Sequence, residues 1–294
     1  MNGNLHDTTP SLRTGLTVVA VLALVAVTGC VGGGNADVGA DITPDTEPAE
    51  TNMTGDEILG TALDTAEDVE TYRFESETRM DLASFFGVSI SMNTTGEFDR
   101  NESLAHARTE GEGGAELFFL SGGEYFETEV YQSSGRWYTR TLNETTSGNW
   151  ETTDAERPLS PGLKDLSTTV REAEPRLEGV AEVNGTEAYV LSLNVSAESL
   201  GEAFSRTMED HGSGQFDDGE DGGNASEGDI ETSEAYLWVE KETYSPLRFA
   251  YIVSLSFEGD GENEASGEME ILGDTRYTGY GDDVEIEVPE AVGD

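Results

Sequence analysis

From Tyr72 onward, apolar and polar side chains alternate with a period of two in one short segment after another, with polar turns between. That period is the signature of strands with one face on a core and one in water. In the first segment Tyr72, Phe74, Met80 and Leu82 fall on one side, and Arg73, Glu75, Glu77, Arg79 and Asp81 on the other. The alternation returns in Phe86, Val88, Ile90 and Met92, around Leu104, across 117–120, from Tyr125 to Tyr131, and from Arg136 to Thr139. It resumes in 177–183, 188–193, 235–239, 247–257 and 268–272, and Val284, Ile286 and Val288 form a last alternating strand ended by Pro289. Ser133-Ser134-Gly135 and Asn184-Gly185 read as hairpin turns. Parallel pairing would need crossovers of about a dozen residues, so strands joined this closely predict an antiparallel meander.

Helical spacing occurs in fewer places. Thr54-Gly55-Asp56-Glu57 fits a capping box, followed by Ile58, Leu59, Ala62, Leu63, Ala66 and Val69 on one helical face. Leu163, Leu166 and Val170 suggest a short helix after Pro161, and Ser196 is placed to cap another carrying Leu200, Ala203, Phe204 and Met208. Residues 210–229 are Gly, Asp, Glu, Ser and Asn with almost no apolar content, which reads as a solvated loop inserted into a single β-rich domain spanning 54–290.

The amino-terminal segment reads as an export signal over residues 1–29. A mostly polar stretch precedes an apolar run from Leu16 to Val27, too short for a membrane-spanning helix of ~20 residues. Val27-Thr28-Gly29-Cys30 resembles the bacterial and archaeal lipobox, whose cysteine is lipidated and becomes the mature amino terminus. Cys30 is the only cysteine in the 294 residues, so no disulfide can form within the chain. The alternative is a conventional or uncleaved signal with a chance cysteine. Arg13 is the only arginine of the signal, so a twin-arginine motif is absent and general secretory export is expected. Residues 30–53, rich in Gly, Asp, Thr, Pro and Glu, read as the lipidated cysteine and a flexible acidic spacer. These features place the chain on the extracytoplasmic face of the cell membrane.

Net charge is −46, from 61 acidic and 15 basic residues, and Lys164 and Lys241 are the only lysines. Such a surface suits molar salt, where the Debye length falls to ~3 Å and self-repulsion is screened. The balance is haloarchaeal in kind and argues against nucleic acid as a partner. Seven Asn-x-Ser/Thr sequons, at Asn52, Asn93, Asn101, Asn143, Asn184, Asn194 and Asn224, are glycosylation candidates in an exported protein.

The order of helix, long amphipathic strand, serial hairpins, second helical stretch and further hairpins resembles the LolA-like lipoprotein-carrier superfamily and its mycobacterial lipoprotein relatives. The segments that carry the likeness are 62–74, Arg136-Trp137-Tyr138, 183–189, Leu237-Trp238-Val239, Ser245-Pro246-Leu247-Arg248 and 284–289. The resemblance implies an α+β fold: a curved antiparallel sheet, an open half-barrel, with two or three helices on its concave face and an apolar cavity for acyl chains. Tyr72, Phe74, Met80, Phe86, Val88 and Ile90 would line that cavity, or would simply form the core against the helices. A carrier that shuttles between membranes is soluble, whereas this chain is expected to be tethered by its own lipid, which favours a static binder, sensor or accessory subunit.

Catalytic apparatus is not visible. His6, His106 and His211 are the three histidines and give no pair at metal-ligand spacing. No Gly-x-Ser-x-Gly, His-Glu-x-x-His, Walker loop or Gly-x-Gly-x-x-Gly occurs. The acidic run Phe216–Gly222 invites a calcium reading, but its spacing is not that of an EF-hand. A non-enzymatic protein without cofactor or metal is expected. It either binds a lipid or other apolar ligand, or serves as a structural or protein-interaction element of the envelope with a closed core.

Overall fold

The computed structural model describes residues 42–81, 89–112, 125–143, 146–154, 170–171, 173–195, 229–257 and 267–289. Cys30, Phe86, Val88, the segment 117–120, the expected helix 196–208 and the acidic loop 210–229 apart from Asp229 lie outside them, as does the helix expected after Pro161 apart from Val170.

Helix α1, Gly55–Asp68, begins where the capping box placed it. The Thr54 hydroxyl accepts from the Glu57 backbone N–H at 3.3 Å, and the Glu57 carboxylate accepts from the Thr54 N–H at 2.8 Å. Donation from the Thr54 N–H, and from the Thr54 hydroxyl at 3.1 Å, holds the exposed Glu57 carboxyl below its ordinary pKa. Ile58, Leu59, Ala62, Leu63 and Ala66 are buried on one face, and α1 packs on the strands that follow Glu174. At Gly55 an added Cβ would stand 2.7 Å from the Pro175 carbonyl oxygen, so a side chain there would push helix from sheet.

Among the described residues, twelve antiparallel strands make one sheet. The first group is β1 (Thr71–Asp81), β2 (Ser89–Asp99), β3 (Leu104–Glu112), β4 (Tyr125–Ser133), β5 (Arg136–Asn143), β6 (Thr146–Ser147) and β7 (Glu151–Asp154). The second is β8 (Glu174–Val183), β9 (Thr186–Asn194), β10 (Asp229–Glu240), β11 (Pro246–Phe257) and β12 (Gly267–Thr278). Each group is a meander. They join where first strand meets last, Arg73 opposite Thr278 through Asp81 opposite Glu270. The path therefore runs β6-β5-β4-β3-β2-β1-β12-β11-β10-β9-β8, with β7 also on β5. No pairing joins β5–β7 to β8 among the described residues, so the sheet is open. A sheet of more than about ten strands curls rather than lying flat. One core cluster that gathers Trp137 of β5, Tyr72 of β1 and Leu177 of β8 beside α1 fits such curvature.

Both two-residue turns are hairpins with positive φ, at Ser134-Gly135 (53° and 76°) and Asn184-Gly185 (51° and 85°). Both central residues left-handed is the geometry whose twist matches that of paired strands.

Four expectations change. The described residues contain one helix, not two or three. β12 continues to Thr278 rather than stopping at Leu272, because Asp274 and Arg276, polar as they are, pair across both neighbours. The alternation of Val284, Ile286 and Val288 is not a strand: Ile286 and Val288 instead pack against Tyr131, Tyr138 and Trp150. Finally, the described part of the expected spacer, 42–53, is docked. Ile42 is buried against Ala188, Val190, Trp238 and Ala250, and Glu47 pairs with Val180 through two 2.8 Å backbone hydrogen bonds.

Candidate ligand-binding face

Even-numbered residues of β1 and β2 and odd-numbered residues of β10, β11 and β12 share the face that α1 covers, called inner below. Tyr72, Phe74, Met80 and Ile90 all lie on it, each 1–2% exposed. Register divides them into two pairs. Tyr72 and Phe74 sit beside α1 with Phe98 and Tyr277, the Tyr72 ring 5.3 Å from that of Phe98 and 6.3 Å from that of Tyr277. Met80 lies directly opposite Ile90 and Ile271. Six residues of strand separate Phe74 from Met80, ~20 Å along the sheet.

Between the pairs runs a row of hydroxyls. Thr109 of β3, Thr94 of β2, Ser76 of β1 and Thr275 of β12 are mutually opposite in register. Thr94 and Thr109 hydroxyls are hydrogen-bonded at 2.6 Å, and those of Ser76 and Thr275 at 2.8 Å. Ser76, Thr94 and Thr275 are buried, as is Thr78 one step along. Buried hydroxyls that satisfy one another cost little, whereas unpaired ones are expensive. Beyond the row, Met80, Ile90, Met92, Met269, Ile271 and Val253 form a buried patch with three thioethers. Met is unbranched and adapts to irregular partners, so such a patch suits a flexible apolar chain.

Two glycines shape this face. An added Cβ at Gly96 would stand 2.3 Å from the ring of Phe74, directly opposite in register, and at Gly273 2.4 Å from the ring of Tyr251, also its opposite residue. Each aromatic ring therefore lies across its neighbouring strand where a side chain would otherwise stand. Burial pushes the Tyr251 phenol up to about 12.

The outer face holds arginine–carboxylate pairs beside two smaller apolar clusters, one around Trp238 and one around Tyr131. Arg248 donates to Asp274 at 2.8 and 3.0 Å while lying 4.4 Å from the Trp238 ring centre. On β3–β5, Arg108 pairs with Glu127 at 3.2 Å. Glu129 gathers Arg140, the Tyr131 hydroxyl (3.0 Å) and His106 Nε2 (3.3 Å). The His106 and Tyr131 rings stack with centroids 4.3 Å apart. Burial works to raise the Glu129 carboxyl, but the hydrogen bonds from Arg140 and Tyr131, with the nearby charges, leave it below its ordinary range. Burial and the bond to Glu129 raise the Tyr131 phenol to about 12. A cleft of about 270 Å³ lies here, lined by Glu97, His106, Tyr131, Glu285, Ile286 and Glu287. Among the described residues no cluster of three or more His, Cys, Asp or Glu is placed to hold a metal ion.

Of the sequons, Asn52, Asn93, Asn101, Asn184 and Asn194 are exposed, Asn143 lies at the end of β5, and Asn224 is outside the described residues. The hydroxyl row was the feature missed in sequence. Its signal was present, since Ser76 and Thr78 occupy the apolar phase of β1 between Phe74 and Met80.

A family model described as "Family of unknown function (DUF6612)" matches residues 54–294. No curated protein matches the chain. Among solved structures, the lipoprotein LppX of Mycobacterium tuberculosis is similar at 11% identity and TM-score 0.41, over 78% of this chain and 98% of that one. A LolA superfamily protein from Nitrosomonas europaea is similar at 10% identity and TM-score 0.23, over 77% and 92%. The MucA/MucB complex of Pseudomonas aeruginosa is similar at 9% identity and TM-score 0.29, over 74% and 93%.

Proposed function

The chain belongs, over residues 54–294, to the family of unknown function DUF6612, and from that membership, which fixes no activity, we propose a membrane-anchored extracytoplasmic lipoprotein that binds a lipid or other apolar ligand without catalysis. The observation that carries the reading is the inner face beyond the hydroxyl row. There Met80, Met92 and Met269 with Ile90, Ile271 and Val253 give one strand end an adaptable apolar lining, while α1 packs over β8–β10. The sequence resemblance to lipoprotein carriers supplies the ligand class, and the lipobox at Cys30 supplies the anchor.

Binding is tested with a polarity-sensitive acyl probe titrated against the purified chain in molar salt. Saturable one-to-one binding, lost in Met80→Glu and Met92→Glu but kept in variants of the outer face, supports the reading. A probe that never saturates, or that binds all variants alike, contradicts it. Anchoring is tested separately: Cys30→Ser moves the protein from the membrane fraction to the medium if the cysteine carries the lipid.

A second reading has an observation in its favour. Exposures of 1–2% at Tyr72, Phe74, Met80 and Ile90 are what a core filled by its own side chains gives. On that reading the protein is a structural, interaction or sensor element of the envelope, and the acyl probe finds no site.

A further inference from the structure

Among the described residues, 42–53 lie nearest Cys30 in sequence, and they fix the amino-terminal end to one side of the sheet. Ile42 is 7% exposed, packed with Val190 and Trp238 on the face opposite α1. Glu47 then pairs with Val180 at the β8 edge through two 2.8 Å backbone hydrogen bonds, and Met53 reaches the inner core. The sequence makes room for this crossing. Gly179 lies at the bulge in β8, and a Cβ there would stand 2.3 Å from the Glu47 carbonyl oxygen. Chain built into the sheet in this way cannot serve as free tether, so only the residues between Cys30 and Ile42 are left for that role.

Their number limits how the domain can stand on a membrane. Twelve steps of chain from Cys30 to Ile42 span at most about 40 Å when fully extended, and a relaxed Gly-rich chain of that length averages about 20 Å. Ile42 lies over β9–β11, so a tether leading to a bilayer on the α1 side would first run about 10 Å back to the β8 edge. It would then pass the sheet and the ~10 Å thickness of α1, which uses most of its extended reach. With the outer face turned to the bilayer, the tether stays slack. The surface around Ile42 suits that contact. Half-buried Ala181, Val183, Tyr236, Leu247, Ile252 and Leu272 pack around Trp238 and its neighbours, and Tyr236 has the apolar body and polar tip favoured at membrane interfaces. Charges on this face, among them Glu234 and the group of Arg248, Asp274 and Arg276, act over only ~3 Å in molar salt. Apolar contact and the tether are then left to set the orientation.

We propose that the outer face of β9–β12 around Trp238 is the surface this protein turns to the lipid bilayer, held there by the docked residues 42–47 and the short tether from Cys30. The proposal rests on the lipid anchor at Cys30 and is independent of any ligand on the inner face. It puts α1, with its exposed Asp64, on the side away from the membrane.

The test uses the full lipidated chain from a salt-adapted host, reconstituted in molar salt into phosphatidylcholine vesicles whose headgroups carry a nitroxide quencher. With Cys30 acylated, one introduced cysteine is the single thiol open to a fluorescent label, placed by Glu234→Cys on the outer face or Asp64→Cys on α1. Both positions are exposed, and Glu234 lies opposite Ile252 in register. The outer-face label is expected to be quenched several-fold more than the label on α1. Lengthening the tether with about twenty Gly and Ser residues after Asn35, which frees the domain to turn, should bring the two signals together. Protein that does not sediment with the vesicles removes the anchor and this proposal with it. Protein that sediments but is quenched equally at both positions, or more strongly on α1, overturns the proposal alone, and so does a difference that the longer tether leaves unchanged.

Discussion

Phe74 and Gly96 face each other across β1 and β2, and the ring occupies the space a side chain on Gly96 would need. Gly96→Ala should destabilise the domain by about 1–3 kcal/mol, the usual range for overpacking a filled site. Equilibrium unfolding checks this: a loss below a few tenths would show that the ring moves aside freely. Two of the ten tyrosines are held near 12, Tyr251 by burial and Tyr131 by burial and its bond to Glu129. Their raised folded pKa stabilises the fold below the ordinary tyrosine value near 10 and is lost as pH rises towards 12. Burial raises the Tyr280 phenol well above its ordinary value as well, so tyrosinate absorbance should show at least three late ionisations, of which that of Tyr131 moves down in Glu129→Gln. Glu129 has the opposite sign, with a folded pKa below the ordinary value. It stabilises above about pH 4.3, and that contribution disappears as pH falls through the depressed value, so Glu129→Gln should flatten the acid limb of the stability curve. At this scale the sequence was partly legible. The even phase of β1 told which residues turn inward, but not that Ser76 would join a hydroxyl row, because its partners, Thr94 on β2 and Thr275 on β12, are set by register between separate segments.

Helix α1 was the most readable element, since its start is written in four consecutive residues and its buried face in the spacing that follows. Thr54→Ala removes the side-chain half of the capping box and should cost about 1 kcal/mol, measured as a lowered unfolding midpoint without change of fold. Hairpins were equally legible, the turns at Ser134-Gly135 and Asn184-Gly185 adopting the positive φ their residues favour. What stayed hidden were contacts without local signal. Period two in Val284, Ile286 and Val288 promised a strand, yet alternation reports only which side chains are buried, and here aromatic rings on an outer face do the burying. Residues 42–53 lack periodicity because they cross an edge, placing Ile42 on the outer face and Met53 against the inner core. The late half of β12 was missed because Asp274 and Arg276 look like a turn in sequence, whereas in the sheet Asp274 pairs with Arg248 across the strands and with Arg276 two residues along its own strand.

Over the whole molecule, two meanders joined by their first and last strands make an open sheet whose inner face carries the largest apolar cluster of the described residues. Serial hairpins implied the meanders, but the pairing of β1 with β12, nearly 200 residues apart, has no local signature. Charge acts at the same scale. With a net −46, lowering salt from about 1 M to 0.1 M lengthens the screening distance from ~3 to ~10 Å, so the melting midpoint should fall steeply on desalting. A midpoint independent of salt would mean the acidic surface does not govern stability. Whether the inner face is a binding site or only a core is also a property of the whole sheet, since it depends on how far the curled strands can part around Met80 and Ile90. The direct measurement is native mass spectrometry of the chain with Cys30→Ser, purified in molar salt from a salt-adapted host and followed by organic extraction. The account predicts a stoichiometric lipid or isoprenoid that is missing from Met80→Glu; a bare protein mass, with nothing apolar in the extract, would contradict it.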